Sequence, residues 1–206
     1  LPLSRNGYLD IISGGLSKRI GITRVHIEED AGKLIHQKDI SWVDFNRAGI
    51  ALLEIVSEPD INSPEEAYEY LSTLKGIVQY LGISDCDMEK GSLRCDANIS
   101  LRPKGAKALG TKTELKNMNS FKGVKDALFY EVSRQNELLD CSQAVIQETR
   151  LWDVKASKTL VMRTKEGAKD YRYFPEPDLA PFIIKEERIA QIMKDIPELP
   201  GQKLRR

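Results

Sequence analysis

Between Ser63 and Gly82, apolar residues recur at three- and four-residue spacings through Ala67, Tyr70, Leu71, Leu74, Ile77, Val78 and Leu81. That period predicts an amphipathic helix with one stripe packed on a core. Ser63 is placed to cap it, Pro64 takes the first helical position, Glu66 completes a capping box, and Gly82 marks the end. A second helix is predicted from about Ser120 to Leu139, its face marked by Phe121, Val124, Ala127, Leu128, Glu131 and Val132, with Asn119 or Ser120 as cap. A short third helix covers Glu186 to Asp195 and ends before Pro197.

The remaining pattern has period two. Arg19 to Asp30 is rich in β-branched residues, but its apolar parity shifts from Ile20 and Ile22 to Val25 and Ile27, which predicts a bulge near Thr23. Val43 to Val56 reads as extended, broken at Asn46 to Gly49. The cleanest alternation runs from Leu93 to Leu101: Leu93, Cys95, Ala97, Ile99 and Leu101 share one face, and Ser92, Arg94, Asp96, Asn98 and Ser100 share the other. In Thr111 to Asn117 the polar face is Lys112, Glu114 and Lys116, with Pro103 to Gly110 as a turn-rich connector of hairpin length. Val145 to Phe174 reads as further strands joined by loops at Lys155 to Ser157 and Lys165 to Lys169. Strands and helices mix without a regular βαβ alternation, which predicts an α+β fold: a largely antiparallel sheet with packed helices.

Composition bounds the class. A chain of 206 residues with 41% hydrophobic content corresponds to one or two domains and can bury a sizeable core. Thirty-one basic and thirty-one acidic residues cancel, which argues against a protein that works by blanketing phosphates. The cancellation is between unlike segments: residues 58–90 carry net −6 and residues 91–119 net +4. No apolar run approaches about 18 residues and no leader opens the chain, so it reads as soluble and intracellular. Cys86, Cys95 and Cys141 match neither a zinc pattern nor a disulfide framework and read as reduced, buried small apolar residues. The start at Leu1 and the polar stop at Gln202 to Arg206 look like cut ends.

Four constellations are candidates for chemistry. Arg94, Asp96 and Asn98 in alternate positions combine a fork donor, a hard oxygen ligand and an amide, a set that suits phosphate plus a divalent cation. If the two strands pair with matching faces, Glu114, Lys112 and Lys116 join them; an ordinary outer face with salt bridges has the same pattern. At Glu28, Glu29 and Asp30, consecutive acids repel unless solvent or a cation neutralises them. Parity puts Glu29 with Val25 and Ile27, facing inward, and Glu28 with His26 and Arg24, which makes Glu29 the better ligand candidate; a solvated acidic turn is the alternative. His26 reads as a satisfied structural histidine. Glu54 sits inside the apolar run Leu53 to Val56, and Asp60 reads as a helix-capping acid. Asp170 to Asp178 interleaves aromatics with Arg172, which suits stacking on a base or packing in a core.

Other motifs fail. Gly105 to Lys112 is one transposition from a P-loop, but the lysine does not follow the second glycine and a strand follows instead of a helix. His26 and Glu28 form H-x-E without the P-C-x-x-C of a zinc deaminase. Neither histidine has an assignable Ser or Cys nucleophile, so acyl transfer through the protein is unsupported.

The strings R-V-H-I-E-E-D-A-G-K (24–33), V-D-F-N-R-A-G (43–49), L-L-E-I-V-S-E-P-D (52–60), G-S-L-R-C-D-A-N-I-S (91–100), T-E-L-K-N-M-N-S (113–120) and D-Y-R-Y-F-P-E-P-D (170–178) closely resemble the B-subunit family of the aspartyl/glutamyl-tRNA amidotransferases. Six long motifs occur in order and are spread over most of the chain, from residue 24 to residue 178. The resemblance implies an enzyme that uses ATP to phosphorylate the side-chain carboxylate of Glu-tRNA(Gln) or Asp-tRNA(Asn). Ammonia, supplied by a glutamine-hydrolysing A subunit with a small C subunit clamping A to B, then displaces phosphate. It also implies a fold similar to glutamine synthetase and guanido kinases, and a cytoplasmic location in bacteria, or a mitochondrial or plastid one in eukaryotes.

On the same resemblance Glu29, Asp96 and Glu114 look like magnesium ligands. Arg94, Lys112 and Lys116 are candidate phosphate partners and Asn98 a positioning amide, four roles inferred from residue chemistry. The resemblance leads to the expectation of a G-L-E-V-H-like strand before Leu1 and of C-terminal helical and tail domains after Arg206, outside these 206 residues. The chain is therefore expected to be part of the catalytic domain, with little transamidation and low tRNA affinity on its own. A non-catalytic tRNA-binding or scaffold module is the competing reading, and a metal-dependent phosphoesterase a third.

Overall fold

In the computed structural model, which describes residues 2–164 and 183–203, Gly14 and Gly15 turn the chain between two long strands with φ of 57° and 79°. Two successive positive-φ residues give a turn whose twist matches that of the strands it joins. The strands are β1 (Ser4–Ser13) and β2 (Leu16–Glu29), an antiparallel pair in which Leu9 lies opposite Ile20 and Ile11 opposite Lys18. Directly opposed residues share a face, and this one is covered: Ile11 and Ile20 are 1% and 0% exposed. Beyond Ile22 the register of β2 slips by one residue, the bulge that the parity shift predicts, and β2 then pairs antiparallel with β5 (Ala51–Ser57). Between them β3 (Lys33–Gln37) and β4 (Ile40–Asp44) form a separate hairpin. The break at 46–49 is pinned to Asp30: its N–H donates to the Ile50 carbonyl at 2.8 Å, its carbonyl accepts from Gly49 at 2.9 Å, and its carboxylate pairs with Arg47 at 2.9 Å.

The first predicted helix is α1 (Pro64–Tyr80). Ser63 Oγ accepts from the Glu66 N–H at 3.1 Å, and Glu66 Oε2 accepts from the Asn62 N–H at 2.7 Å and from Lys18 Nζ at 2.6 Å. Burial works to raise the Glu66 pKa, but these partners hold it below the ordinary value. Asp60 does not cap; its carboxylate accepts from the Gly21 N–H at 2.8 Å, fastening the approach to α1 onto β2. The chain divides into two units, Leu1–Thr73 and Leu74–Arg206.

The second unit is built on a four-stranded sheet ordered β6 (Ala97–Ile99), β7 (Thr113–Lys116), β8 (Glu148–Asp153), β9 (Lys158–Thr164). The β6–β7 and β8–β9 pairs are antiparallel, while β7 and β8 are parallel and joined through α2 (Phe121–Asp140). The α+β class and mainly antiparallel pairing hold, with this one parallel pair added. Ser120 caps α2, its Oγ accepting from the Gly123 N–H at 2.9 Å. The ladder at β6 is shorter than the alternation suggests, yet the parity persists outside it: Leu93 and Cys95 are half-buried, Arg94 and Asp96 exposed. The connector from β6 to β7 is longer than a hairpin turn. At Gly110 it passes the Leu101 carbonyl so closely that a Cβ would stand 2.0 Å from the oxygen. Two more helices, α3 (Glu186–Asp195) and α4 (Pro200–Lys203), follow, while the aromatic run Asp170 to Asp178 and the loop Lys165 to Lys169 lie outside the described residues.

All three thiols are free, but only Cys86 is fully buried. Cys95 is half-buried, and desolvation, with the nearby Asp96 charge, pushes its thiol up to about 12. Cys141 is exposed, contrary to the apolar reading, because it sits just past the end of α2, where its backbone N–H caps Glu137 and its side chain is left outside.

Beneath the sheet lies a buried polar network. Glu131 of α2 is 0% exposed and accepts from Arg134 Nε at 2.9 Å and Nη2 at 2.8 Å, and from Thr159 Oγ1 at 2.6 Å, with Arg150 Nε at 3.2 Å. Arg150 also pairs with Glu148 at 2.6 Å. Burial pushes the Glu131 pKa up, but its hydrogen bonds from Arg134 and Thr159 outweigh that and hold it below the ordinary glutamate value. Removing one member of such a network leaves buried charge uncompensated. Glu131→Ala should therefore cost about 3–5 kcal/mol in urea unfolding near neutral pH. Because the folded-state pKa is depressed, the wild-type contribution is present above the unfolded-state value and fades as pH falls through the depressed one, so the difference between the two proteins should shrink in acid.

Candidate functional site

The register of the β6–β7 pair places Asn98 opposite Glu114 and Ala97 opposite Leu115. Directly opposed residues share a face, so the polar faces predicted for the two strands coincide. Thr113 and Leu115 point inward and are 0% exposed, whereas Arg94, Asp96, Asn98 and Lys112 are exposed and Glu114 and Lys116 half-buried. On this face Lys116 Nζ donates to Asp96 Oδ2 and lies 3.4 Å from Glu114 Oε1. One ammonium thus gathers two carboxylates, one from β7 and one from the residue just before β6. Burial acts to lower the Lys116 pKa, but the hydrogen bond and charge of Asp96, helped by Glu114, hold it above the ordinary lysine value.

Glu114 has a second support, which the sequence pattern does not reveal. Thr149 of β8, 0% exposed, donates from Oγ1 to Glu114 Oε2 at 2.8 Å. A signal for it exists: a helix between two strand runs is the connection a parallel pair needs, and such a pair sets Thr149 beside Glu114. Asn117, with φ of 70°, turns the chain out of β7, and its Nδ2 donates to the Trp152 carbonyl at 3.2 Å. The strand that carries Glu114 and Lys116 is fixed at its end as well as along its length.

Glu29 belongs to the first unit, at the exposed end of β2. The inward orientation expected from parity is not found, since Ile27 on the same side is 59% exposed. Alternation tells which residues share a face but not which face is covered, and here Glu28 and Glu29 are both exposed. The charge of Asp30 is met by Arg47, a partner 17 positions along the chain that no local pattern reveals. On the opposite face His26 lies across from Glu54, with Glu28 two residues on. Burial, and then the hydrogen bond and charge of Glu54, raise the Glu28 pKa above the ordinary value. Glu54, expected inside an apolar run, is exposed, and His26 is not the satisfied structural histidine expected, because its Nε2 is buried without a hydrogen-bond partner.

Asp96, Glu114, Lys116 and Asn98 define a class of site: hard carboxylate oxygens, an ammonium and an amide gathered at one sheet face, a donor set suited to a phosphorylated ligand with a divalent cation. A family model described as the GatB/GatE catalytic domain matches residues 1–190, and the chain belongs to that family. It is 59% identical over 211 aligned residues to the B subunit of an aspartyl/glutamyl-tRNA(Asn/Gln) amidotransferase from Carboxydothermus hydrogenoformans, covering 100% of this chain and 44% of that protein. The equally named proteins of Staphylococcus epidermidis and Caldicellulosiruptor saccharolyticus are each 58% identical, over 98% and 100% of the chain and 42% and 43% of theirs. The chain thus spans less than half the length of these relatives. Among the described residues no helix is long and apolar enough to cross a membrane.

If Thr149 holds Glu114 in place, Thr149→Val should lower stability by about 1.5–3 kcal/mol, the range for a hydrogen bond to a charged group, and Thr149→Ser should restore most of it. Urea unfolding of the two variants checks this.

Proposed function

We propose that this chain is catalytic-domain sequence of an amidotransferase component, the B subunit, that activates the side-chain carboxylate of Glu-tRNA(Gln) or Asp-tRNA(Asn) with ATP and converts it to the amide. The supporting observation is the convergence of Asp96 and Glu114 on Lys116, with Asn98 directly opposite Glu114 in the register. The relatives' name supplies the reaction class.

A carboxylate resists ammonia because its leaving group would be oxide. Attack of one carboxylate oxygen on the γ-phosphorus of ATP releases ADP and gives a mixed anhydride. Ammonia then adds at the carbonyl carbon, phosphate departs with the bridging oxygen, and the nitrogen loses a proton to leave the neutral amide. Phosphoryl transfer needs chiefly positioning and charge neutralisation. Arg94, Lys112 and Lys116 supply positive charge for the transferred group, and Lys116 stays cationic because Asp96 and Glu114 hold its proton. Asn98, level with Glu114, is an amide that can orient the acceptor carboxylate.

Asp96 and Glu114 fit magnesium, since their oxygens already converge on a cation and are of the hard type it takes. Bound there, the ion would neutralise phosphate charge. Ammonia would come from a glutamine-hydrolysing A subunit, with a C subunit joining the two.

The test is Asp96→Asn in a full-length protein carrying this sequence, assembled with its partner subunits. ATP-dependent amide formation should fall by at least about a hundredfold, the scale for losing a transition-state charge stabiliser. Binding of the charged tRNA should change only a few-fold, because the role proposed for Asp96 is in the chemical step. Retained amide formation would favour the scaffold reading, and phosphate release from nucleic acid without glutamine the phosphoesterase reading.

A further inference from the structure

We propose that His26, Glu28 and Glu54 form a site for a divalent transition-metal ion that staples β2 to β5. An imidazole nitrogen of His26 and one carboxylate oxygen each from Glu28 and Glu54 lie within 4.8 Å of one another. Ligands at about 2.0–2.2 Å from a shared ion stand about 3–4.3 Å apart, so small side-chain rotations bring the three into range. Backbone register sets the arrangement: His26 is directly opposite Glu54, and Glu28 follows two residues along on the same face. The bulge between Ile22 and Arg24 puts them there, since it shifts the parity of everything beyond it on β2.

Two observations favour an ion over a self-contained hydrogen-bonded cluster. Nε2 of His26 is buried and has no hydrogen-bond partner, whereas a folded chain normally satisfies such an atom. A carboxylate oxygen of Glu28 and one of Glu54 lie within 4.8 Å of each other, an arrangement two ionised carboxylates avoid unless positive charge stands between them. Arg24, on the same face, contributes some of that charge. Both carboxylates are exposed, so an ion reaches them from solvent.

The donor set selects the ion. Imidazole nitrogen with two carboxylates suits zinc or manganese, while magnesium takes oxygen donors alone. Three protein ligands leave positions open for water. The site shares no residue with Glu29, Asp96 or Glu114, so it stands or falls separately from the carboxylate-activation reading.

The chain has two histidines, and the other, His36, has its Nδ1 engaged with Ser41 Oγ at 2.8 Å, which makes it an internal reference. Zinc ions are titrated into the full chain while the imidazole C–H resonances are followed by NMR, with magnesium ions as the comparison. The site predicts a saturable shift of the His26 resonance, none at His36, and none with magnesium at the same concentration. Glu54→Gln should weaken the zinc midpoint by about tenfold or more. An unmoved His26 resonance, an equal response of both histidines, or an unchanged midpoint in a folded Glu54→Gln chain would overturn the site. The wild-type titration alone decides the matter if that variant does not fold.

Discussion

A carboxylate with no exposure to water must be matched by donors on every side, and Glu131 is matched by three elements at once. Arg134 comes from its own helix, Arg150 from β8 and Thr159 from β9. The donors can meet only if α2 lies across the sheet at one height and one rotation. The same network reaches the working strand, because Arg134 Nη2 stands 3.5 Å from Thr113 Oγ1, at the start of β7. Buried ion pairs of this kind add little net stability relative to an apolar core, but each member becomes indispensable once its partners are in place.

The period of a strand carries that order to the surface. Thr113 and Leu115 are locked inside, so Glu114 and Lys116 must face out, and a one-residue slip would exchange the two sets. Thr149 then fixes Glu114 from β8, and Glu114 with Asp96 fixes Lys116. Buried network, registered strand and charged face form one chain of constraints. It holds a cationic group between two carboxylates that are themselves anchored, the condition under which charge stabilisation requires little reorganisation. The neutral total charge of the protein fits a surface of this kind better than it fits a broad basic groove.

Much of this is legible in the sequence because it is local. The helices at 64–80, 121–140 and 186–195 follow from periodicity and caps, and the β2 bulge from a parity shift. The shared polar face of β6 and β7 also follows from parity, since side chains alternate whether or not a full ladder forms. What is not legible depends on partners distant in sequence. The periodicity does not find β1, although Gly14 and Gly15 mark its turn, and it misplaces Glu29 because parity does not say which side of a sheet is covered. Thr149, Arg150 and Arg47 find their partners only through tertiary pairing. The aspartyl/glutamyl-tRNA amidotransferase resemblance rests on residue strings, and the family match over residues 1–190 agrees with it.

The role proposed for the face around Asp96, Glu114 and Lys116 is the phosphorylation of a carboxylate. Following an oxygen atom tests this most directly. Glu-tRNA(Gln) with oxygen-18 in its side-chain carboxylate is supplied to the full-length assembled enzyme with ATP and glutamine, and the phosphate released is analysed by mass spectrometry. Carboxylate phosphorylation leaves one oxygen-18 atom in the phosphate for each amide formed. Amide formation with unlabelled phosphate would contradict it.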